Sequence, residues 1–117
     1  MNKETKIRGL LKKILKQLDD LKAIKVDVIN IENRSALADF LVIASGNSSR
    51  HINSIASKIM KSNKHELITI EGLKSTDWVI LDFGDIILNI FKPETRNHYD
   101  LEKIWQDGIQ DEKMSFG

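Results

Sequence analysis

The stretch Trp78–Trp105 reads WVILDFGDIILNIFKPETRNHYDLEKIW, and its order of residue types predicts a β-hairpin followed by a helix. Two apolar runs, at 79–81 and 86–88, flank a turn whose Gly84 permits the positive φ that such a turn requires. Because both runs are almost continuously apolar, the two strands are expected to be covered on both faces. Pro93 has no N–H for a sheet ladder and ends the second strand, and Thr95 is a candidate N-cap of the helix.

The preceding part of the chain predicts two helices and three strands. Apolar residues at steps of three and four predict a helix from about residue 4 to 23. Val26–Ile31 alternates imperfectly and indicates a strand near a sheet edge, whereas Phe40–Ala44 is a compact apolar run typical of a central strand. A helix with its buried stripe at 52–59 follows, and Leu67–Ile70 is predicted to form the next strand.

The predicted order of elements is α-β-β-α-β-β-β-α. A strand–helix–strand unit at 40–70 implies a right-handed parallel crossover, and the hairpin adds antiparallel pairing. We therefore expect an α/β (α+β) fold with a mixed five-stranded sheet flanked by helices. The whole chain, 1–117, is expected to form one domain, with 108–117 as a frayed tail.

The composition is that of an ordinary soluble globular protein, with 30% charged and 41% hydrophobic residues. The absence of cysteine excludes disulfides, thiolate zinc sites and a cysteine nucleophile. No apolar run approaches the roughly 20 residues of a membrane span, and the N-terminus lacks the apolar region of a signal peptide. A cytoplasmic protein without a membrane partner is expected.

Charge is distributed unevenly along the chain. Residues 1–25 carry a net charge of +5 and residues 94–117 a net charge of −3. The basic N-terminal helix could contact RNA phosphate, although a solvated helix face is the simpler interpretation. The acidic end would suit a basic protein partner, and solubility alone would also explain it.

The segment Ser45–Arg50 joins a strand to a helix N-terminus, where free N–H groups favour phosphate. Its Gly46-x-Ser48 resembles the turn of nucleotidyltransferases, which makes such an enzyme the alternative function. That chemistry also needs carboxylates on neighbouring strands to hold Mg²⁺. The nearby acids are better placed to serve turns, namely Asp77, Asp82 and Asp85.

No catalytic residue, metal site or cofactor is predicted. The three histidines, His51, His65 and His98, lie on separate elements without metal-ligand spacing. The turn at 45–50 matches neither glycine-rich phosphate motif, G-x-x-x-x-G-K-[ST] or G-x-G-x-x-G.

The aromatic residues Trp78, Tyr99 and Trp105, which include both tryptophans and the only tyrosine, lie on either side of the hairpin. Half-exposed aromatic side chains are typical anchors of protein interfaces. Trp78 could equally fill the core, whereas an interface role is favoured for Tyr99 and Trp105.

Two segments, DFLVIASGNSSRHINSIASKI at 39–59 and EGLKSTDWVILDFGDIILNIFKPETRNHYDLEKIW at 71–105, resemble the ribosomal silencing factor family, also called the Iojap-related family. The likeness runs from about Asp19 to Trp105 and rests on S-G-x-S-x-R, E-G, W-x-x-x-D-x-G-D and R-x-x-Y-x-L-E-x-x-W. The resemblance implies a nucleotidyltransferase-like fold without the catalytic acids. It also implies a translation repressor that binds the large ribosomal subunit through ribosomal protein L-fourteen and sterically blocks joining of the small subunit.

The matching motif positions are the partner-binding residues that the resemblance implies: Glu71, Gly72, Trp78, Asp82, Gly84, Asp85, Arg96, Tyr99, Leu101, Glu102 and Trp105. Asn89 stands where the family usually has histidine, and His51 replaces a common glutamine. A shape-based block needs no titratable group, so these departures leave the expected docking intact. Whether the protein forms a homodimer is left open.

Overall fold

The computed structural model describes residues 2–33 and 35–99, the last three of them as backbone only. It confirms the predicted order of elements and the mixed five-stranded sheet. The elements are α1 Lys3–Asp20, β1 Ile24–Asn30, β2 Phe40–Ser45, α2 Ser49–Ser62, β3 Thr69–Glu71, β4 Trp78–Asp82, β5 Ile86–Phe91 and α3 Pro93–Tyr99.

The strands are arranged in the order β1-β2-β5-β4-β3, so β5 lies at the centre and β1 and β3 form the edges. β2 pairs with β5 in parallel, whereas the other three neighbouring pairs are antiparallel. β3 therefore runs in the same direction as β2 but is separated from it by β5 and β4. The parallel partner of β2 is thus the second strand of the hairpin rather than the strand that directly follows α2.

The two faces of the sheet carry separate apolar clusters. Helices α1 and α2 cover the first face, where the buried side chains include Ile14, Leu18, Val42, Ile52, Ile59, Leu81, Leu88 and Ile90. The second face carries a smaller cluster that includes Ile29, Ile31, Leu41, Ile43, Ile87 and Phe91. Because successive side chains point to opposite faces, a strand that contributes to both clusters is buried at each position, as β2 and β5 are.

The predicted hairpin is present, and its turn is closed by local hydrogen bonds. Phe83 donates its N–H to the Ile86 carbonyl over 2.9 Å, and Gly84, at φ 88°, donates its N–H to Asp82 Oδ1 over 2.7 Å. The prediction that both strands are buried on both faces is right for β5, whose residues are all buried. In β4, half-buried and buried residues alternate, so only one face of this strand is fully buried. The reason is position, because β4 lies beside the three-residue edge strand β3.

Two helix starts show how the loops join the sheet. Ser48 caps α2, and a Cβ on Gly46 would lie 2.6 Å from Ile52 Cγ1, so glycine permits close helix–strand packing there. The expectation that Thr95 caps the last helix is wrong, because α3 begins at Pro93. A proline suits the first helical position, where its fixed φ is helical and no N–H is required.

Candidate functional site

Trp78, the first residue of β4, lies half-buried on the second face of the sheet. Its ring stacks on Phe91, the cross-strand neighbour, with ring centroids 5.1 Å apart and an interplanar angle of 30°. The indole Nε1 donates a hydrogen bond to Asn89 Oδ1 over 2.9 Å. Trp78 is therefore anchored in the sheet while the residue stays partly accessible, and its predicted role in an interface stays a prediction.

The side chains on the same face as Trp78 are mostly apolar and belong to β4 and β5. Ile80 is half-buried two residues along β4, and buried Phe91 lies opposite Trp78. Ile87, also buried, lies further along β5, opposite Asp82. We call this region, made of Trp78, Ile80, Ile87, Asn89 and Phe91, the tryptophan face. An aromatic side chain packed among apolar side chains is common at the centre of protein–protein interfaces.

The loop before β4 brings two more of the predicted residues to Trp78. Glu71 is exposed and pairs with Ile80, and Gly72 follows it at φ 91°. A Cβ on Gly72 would overlap the carbonyl oxygen of Trp78. The E-G pair and the tryptophan thus form one structural unit, with a carboxylate at the rim of the tryptophan face.

The remaining hairpin residues lie at the other end of β4. Asp82 is four residues from Trp78, which corresponds to about 13 Å along an extended strand. Asp82 accepts the turn hydrogen bond from Gly84, and the carbonyl of Asp85 accepts the N–H groups of Asp39 and Phe40 over 2.9 and 3.0 Å. The structure therefore separates the predicted residues around β4 into two groups, with Glu71, Gly72 and Trp78 near its start and Asp82, Gly84 and Asp85 at its end.

Arg96 of α3 is buried, with 5% of its surface exposed. Its guanidinium donates to the Lys25 carbonyl over 2.6 Å, to Ser45 Oγ over 3.0 Å and to Asp27 Oδ2 over 2.9 Å. The β1–β2 register is irregular between residues 24 and 27, where Lys25 has φ 50°. Arg96 therefore connects α3 to the irregular part of the edge strand β1. The contact of Arg96 with a partner stays a prediction.

The last predicted residues lie beyond the described part. The backbone of Tyr99 ends α3, while Leu101, Glu102 and Trp105 lie outside the described residues. The aromatic side of the last helix therefore stays a prediction. In the sequence, Asn89 differs from the histidine usual in the family, and its hydrogen bond to Trp78 was not predicted. The available signal was a single polar residue in an otherwise apolar strand, Ile86–Phe91.

The loop before α2 is occupied by its own hydrogen bonds. Ser48 Oγ accepts from the His51 N–H, and the Asn47 N–H donates to His51 Nδ1 over 2.9 Å. Since Nδ1 accepts, the proton is on Nε2, which contacts the Leu21 carbonyl at 2.8 Å. Thr76 Oγ1 donates to Ser49 Oγ over 2.8 Å. These contacts describe a capped turn that joins α1 to α2.

Acidic side chains do not gather into a metal site in the described part of the chain, where no group of three or more potential ligands is found.

The pKa of the Asp39 carboxyl is raised above its ordinary value. Burial is the larger cause, and repulsion from Asp85 and Glu32 adds to it. Within residues 2–33 and 35–99, none of the helices is both long and apolar enough to cross a bilayer.

Comparison with known proteins gives a consistent result. Residues 4–116 match the family model described as "Ribosomal silencing factor during starvation". The chain is 41% identical to the ribosomal silencing factor RsfS of Zymomonas mobilis, over 89% of this chain and 80% of that protein. It is 36% identical to "Mitochondrial assembly of ribosomal large subunit protein 1" of Mus musculus, over 67% of this chain and 37% of that protein.

The fold is shared with a crystal structure of a protein from Chromobacterium violaceum. The TM-score is 0.79 at 25% sequence identity, and the match covers 85% of both chains. Because the family model spans almost the whole chain, the protein belongs to the ribosomal silencing factor or Iojap family, whose members regulate translation without acting as enzymes.

Proposed function

We propose that this protein represses translation by binding the large ribosomal subunit through ribosomal protein L-fourteen and occupying the space that the small subunit needs. The observation that supports this most directly is Trp78, a half-buried aromatic ring held on a rigid strand. The name of the mouse relative refers to assembly of the same subunit. No bond is made or broken in this mechanism, so its only requirements are affinity and bulk.

The proposed docking surface combines an apolar centre with an acidic rim. Within the tryptophan face, the half-buried residues Trp78 and Ile80 supply the accessible centre, and Glu71 lies exposed at its edge. Tyr99, Glu102 and Trp105 would extend the surface from the last helix, where their spacing of three residues brings them to one side. Carboxylates at the rim would complement a basic ribosomal protein and direct its approach.

Alanine variants test this surface. Trp78→Ala, Tyr99→Ala and Trp105→Ala are each expected to weaken binding to the large subunit by about 1–4 kcal/mol, the usual range for an aromatic interface anchor. Binding is measured by co-sedimentation with free large subunits, and inhibition of subunit joining by light scattering. Lys58→Ala is the control, because Lys58 is exposed on α2, which covers the opposite face of the sheet.

Only variants with wild-type thermal stability count in this comparison. A folded Tyr99→Ala/Trp105→Ala double variant that still binds and still blocks joining would contradict the surface assigned to the last helix. Binding without inhibition of joining would contradict occlusion and leave only the partner.

The basic helix α1 is proposed to contact ribosomal RNA. Lys12, Lys13 and Lys16 are exposed, but Lys13 donates to the Ser62 carbonyl over 2.8 Å and Lys16 pairs with Asp20 at 3.3 Å. Lys12 forms neither an ion pair nor a side-chain hydrogen bond with the described residues. Of these three lysines, Lys12 is therefore the most available to a phosphate.

Charge reversal at these three lysines is expected to weaken subunit binding and to flatten its salt dependence. The slope of log K against log salt should fall by about 1 for each phosphate that the variant no longer neutralises. Lys12→Glu alone should account for most of the change, because the other two lysines are already engaged. Lys58→Glu, an exposed site on α2, is the control. A salt slope equal to that of the wild type would leave these lysines as plain surface charges.

A further inference from the structure

We propose that Asn89 is a positioning residue, whose side-chain amide holds the indole of Trp78 in the orientation used for docking. This inference rests on the proposed function, because it assigns to Asn89 a role in the same surface. Asn89 lies on the central strand β5, and only 3% of its surface is exposed. It is the polar member of a strand whose other residues are isoleucine, leucine and phenylalanine.

The orientation of the Asn89 amide follows from its neighbours. Its Nδ2 lies 3.4 Å from the carbonyl oxygens of Val42 and Ile87, which can only accept hydrogen bonds. The amide nitrogen therefore faces the backbone, and Oδ1 is directed towards Trp78. The main chain of two neighbouring strands thus determines which atom the tryptophan meets.

Trp78 needs such a partner, because an indole has one N–H donor and no acceptor. Its Nε1 lies 2.9 Å from Asn89 Oδ1, while the ring stacks on Phe91. The indole is bonded at Cβ, so its orientation is set by χ1 and χ2, and a flip of about 180° at χ2 keeps the ring plane but exchanges its edges. A directional hydrogen bond from Nε1 to Asn89 selects one of these two orientations, while stacking on Phe91 supports the ring plane.

The hydrogen bond to Asn89 determines which part of Trp78 a partner can contact. Because Asn89 already accepts the indole N–H, a docked partner meets Trp78 through its ring surface. Preorganisation of this kind raises affinity by reducing the side-chain freedom that is lost on binding. Asn89 would therefore affect binding without touching the partner.

The test is a double-mutant cycle with Asn89→Leu and Trp78→Ala, measured as affinity for free large subunits. Asn89→Leu alone should weaken binding about fivefold to tenfold, the effect of one neutral hydrogen bond. In the Trp78→Ala background the same change should alter affinity by less than about twofold, because no indole remains to be oriented.

A second readout follows the indole directly and needs no partner. The Trp78 Nε1–H signal in NMR, assigned with Trp78→Phe, should exchange with water at least about tenfold faster in Asn89→Leu, because its acceptor is lost. Thermal unfolding of each variant shows whether the fold is kept.

The outcomes separate this inference from the docking proposal. If Trp78→Ala weakens binding and a folded Asn89→Leu does not, the role of Asn89 is wrong and the docking surface stands. An equal loss from Asn89→Leu in both backgrounds would show that Asn89 acts through the general fold, which also overturns the inference. If Trp78→Ala binds like the wild type, the docking surface itself is wrong, and the positioning role goes with it.

Discussion

A Gly72→Ala variant is expected to lose at least about 3 kcal/mol of unfolding free energy, the upper end of the cost of one strained backbone residue. Gly72 has φ 91°, a conformation that L side chains rarely adopt. An added Cβ would overlap the Trp78 carbonyl oxygen and lie 3.0 Å from its carbonyl carbon. These are backbone atoms of β4, so relief requires a shift of the strand that carries Trp78.

The measurement is chemical denaturation of Gly72→Ala beside Gly9→Ala. Gly9 lies exposed within α1, where an added Cβ has no neighbour within 4 Å. Gly9→Ala should therefore gain about 0.5–1 kcal/mol through helix propensity. Subunit binding should fall in Gly72→Ala and be unchanged in Gly9→Ala, since only the first change displaces Trp78. Equal stability of the two variants would refute the geometry of the β3–β4 loop.

Ile14→Ala is expected to lower the unfolding free energy by about 2–5 kcal/mol, because deletion of a fully buried aliphatic side chain leaves a cavity. Ile14 has no exposed surface and belongs to the cluster between α1 and the sheet. Lys12→Ala, an exposed change on the same helix, is the control and should stay within about 0.5 kcal/mol of the wild type. The unfolding free energy of each variant is obtained from the midpoint of chemical denaturation and from the slope of free energy against denaturant concentration.

An Ile14→Ala variant that melts at the wild-type temperature would mean that the apolar stripe faces a partner or solvent. The structure points to the core, since Leu11 and Leu18 on the same stripe are also buried. A destabilised Ile14→Ala variant should still bind at low temperature, because the residue lies on the side of the sheet opposite the tryptophan face.

The elements that depend on neighbouring residues were predictable. The periodic stripe indicated α1 over 4–23, and the helix covers Lys3–Asp20. The Gly-Asp turn of the hairpin also follows from local chemistry, since Gly84 has the positive φ of 88° that such a turn requires. β3 was placed at 67–70 and covers Thr69–Glu71, a small displacement at an edge where only one neighbouring strand selects the pairing.

What the chain order could not decide is how distant segments meet. The sheet places β5 beside β2, and the folded chain buries Arg96, whose Nη2 lies 2.9 Å from Oδ2 of Asp27, 69 positions away in the sequence. The bond from Trp78 to Asn89 joins residues 11 positions apart and depends on the register of β4 against β5. Helix periodicity, turns and caps arise from contacts within a few residues, so the sequence contains them directly. Strand order and register arise from the packing of whole elements, and only the folded chain brings the tryptophan and its acceptor together.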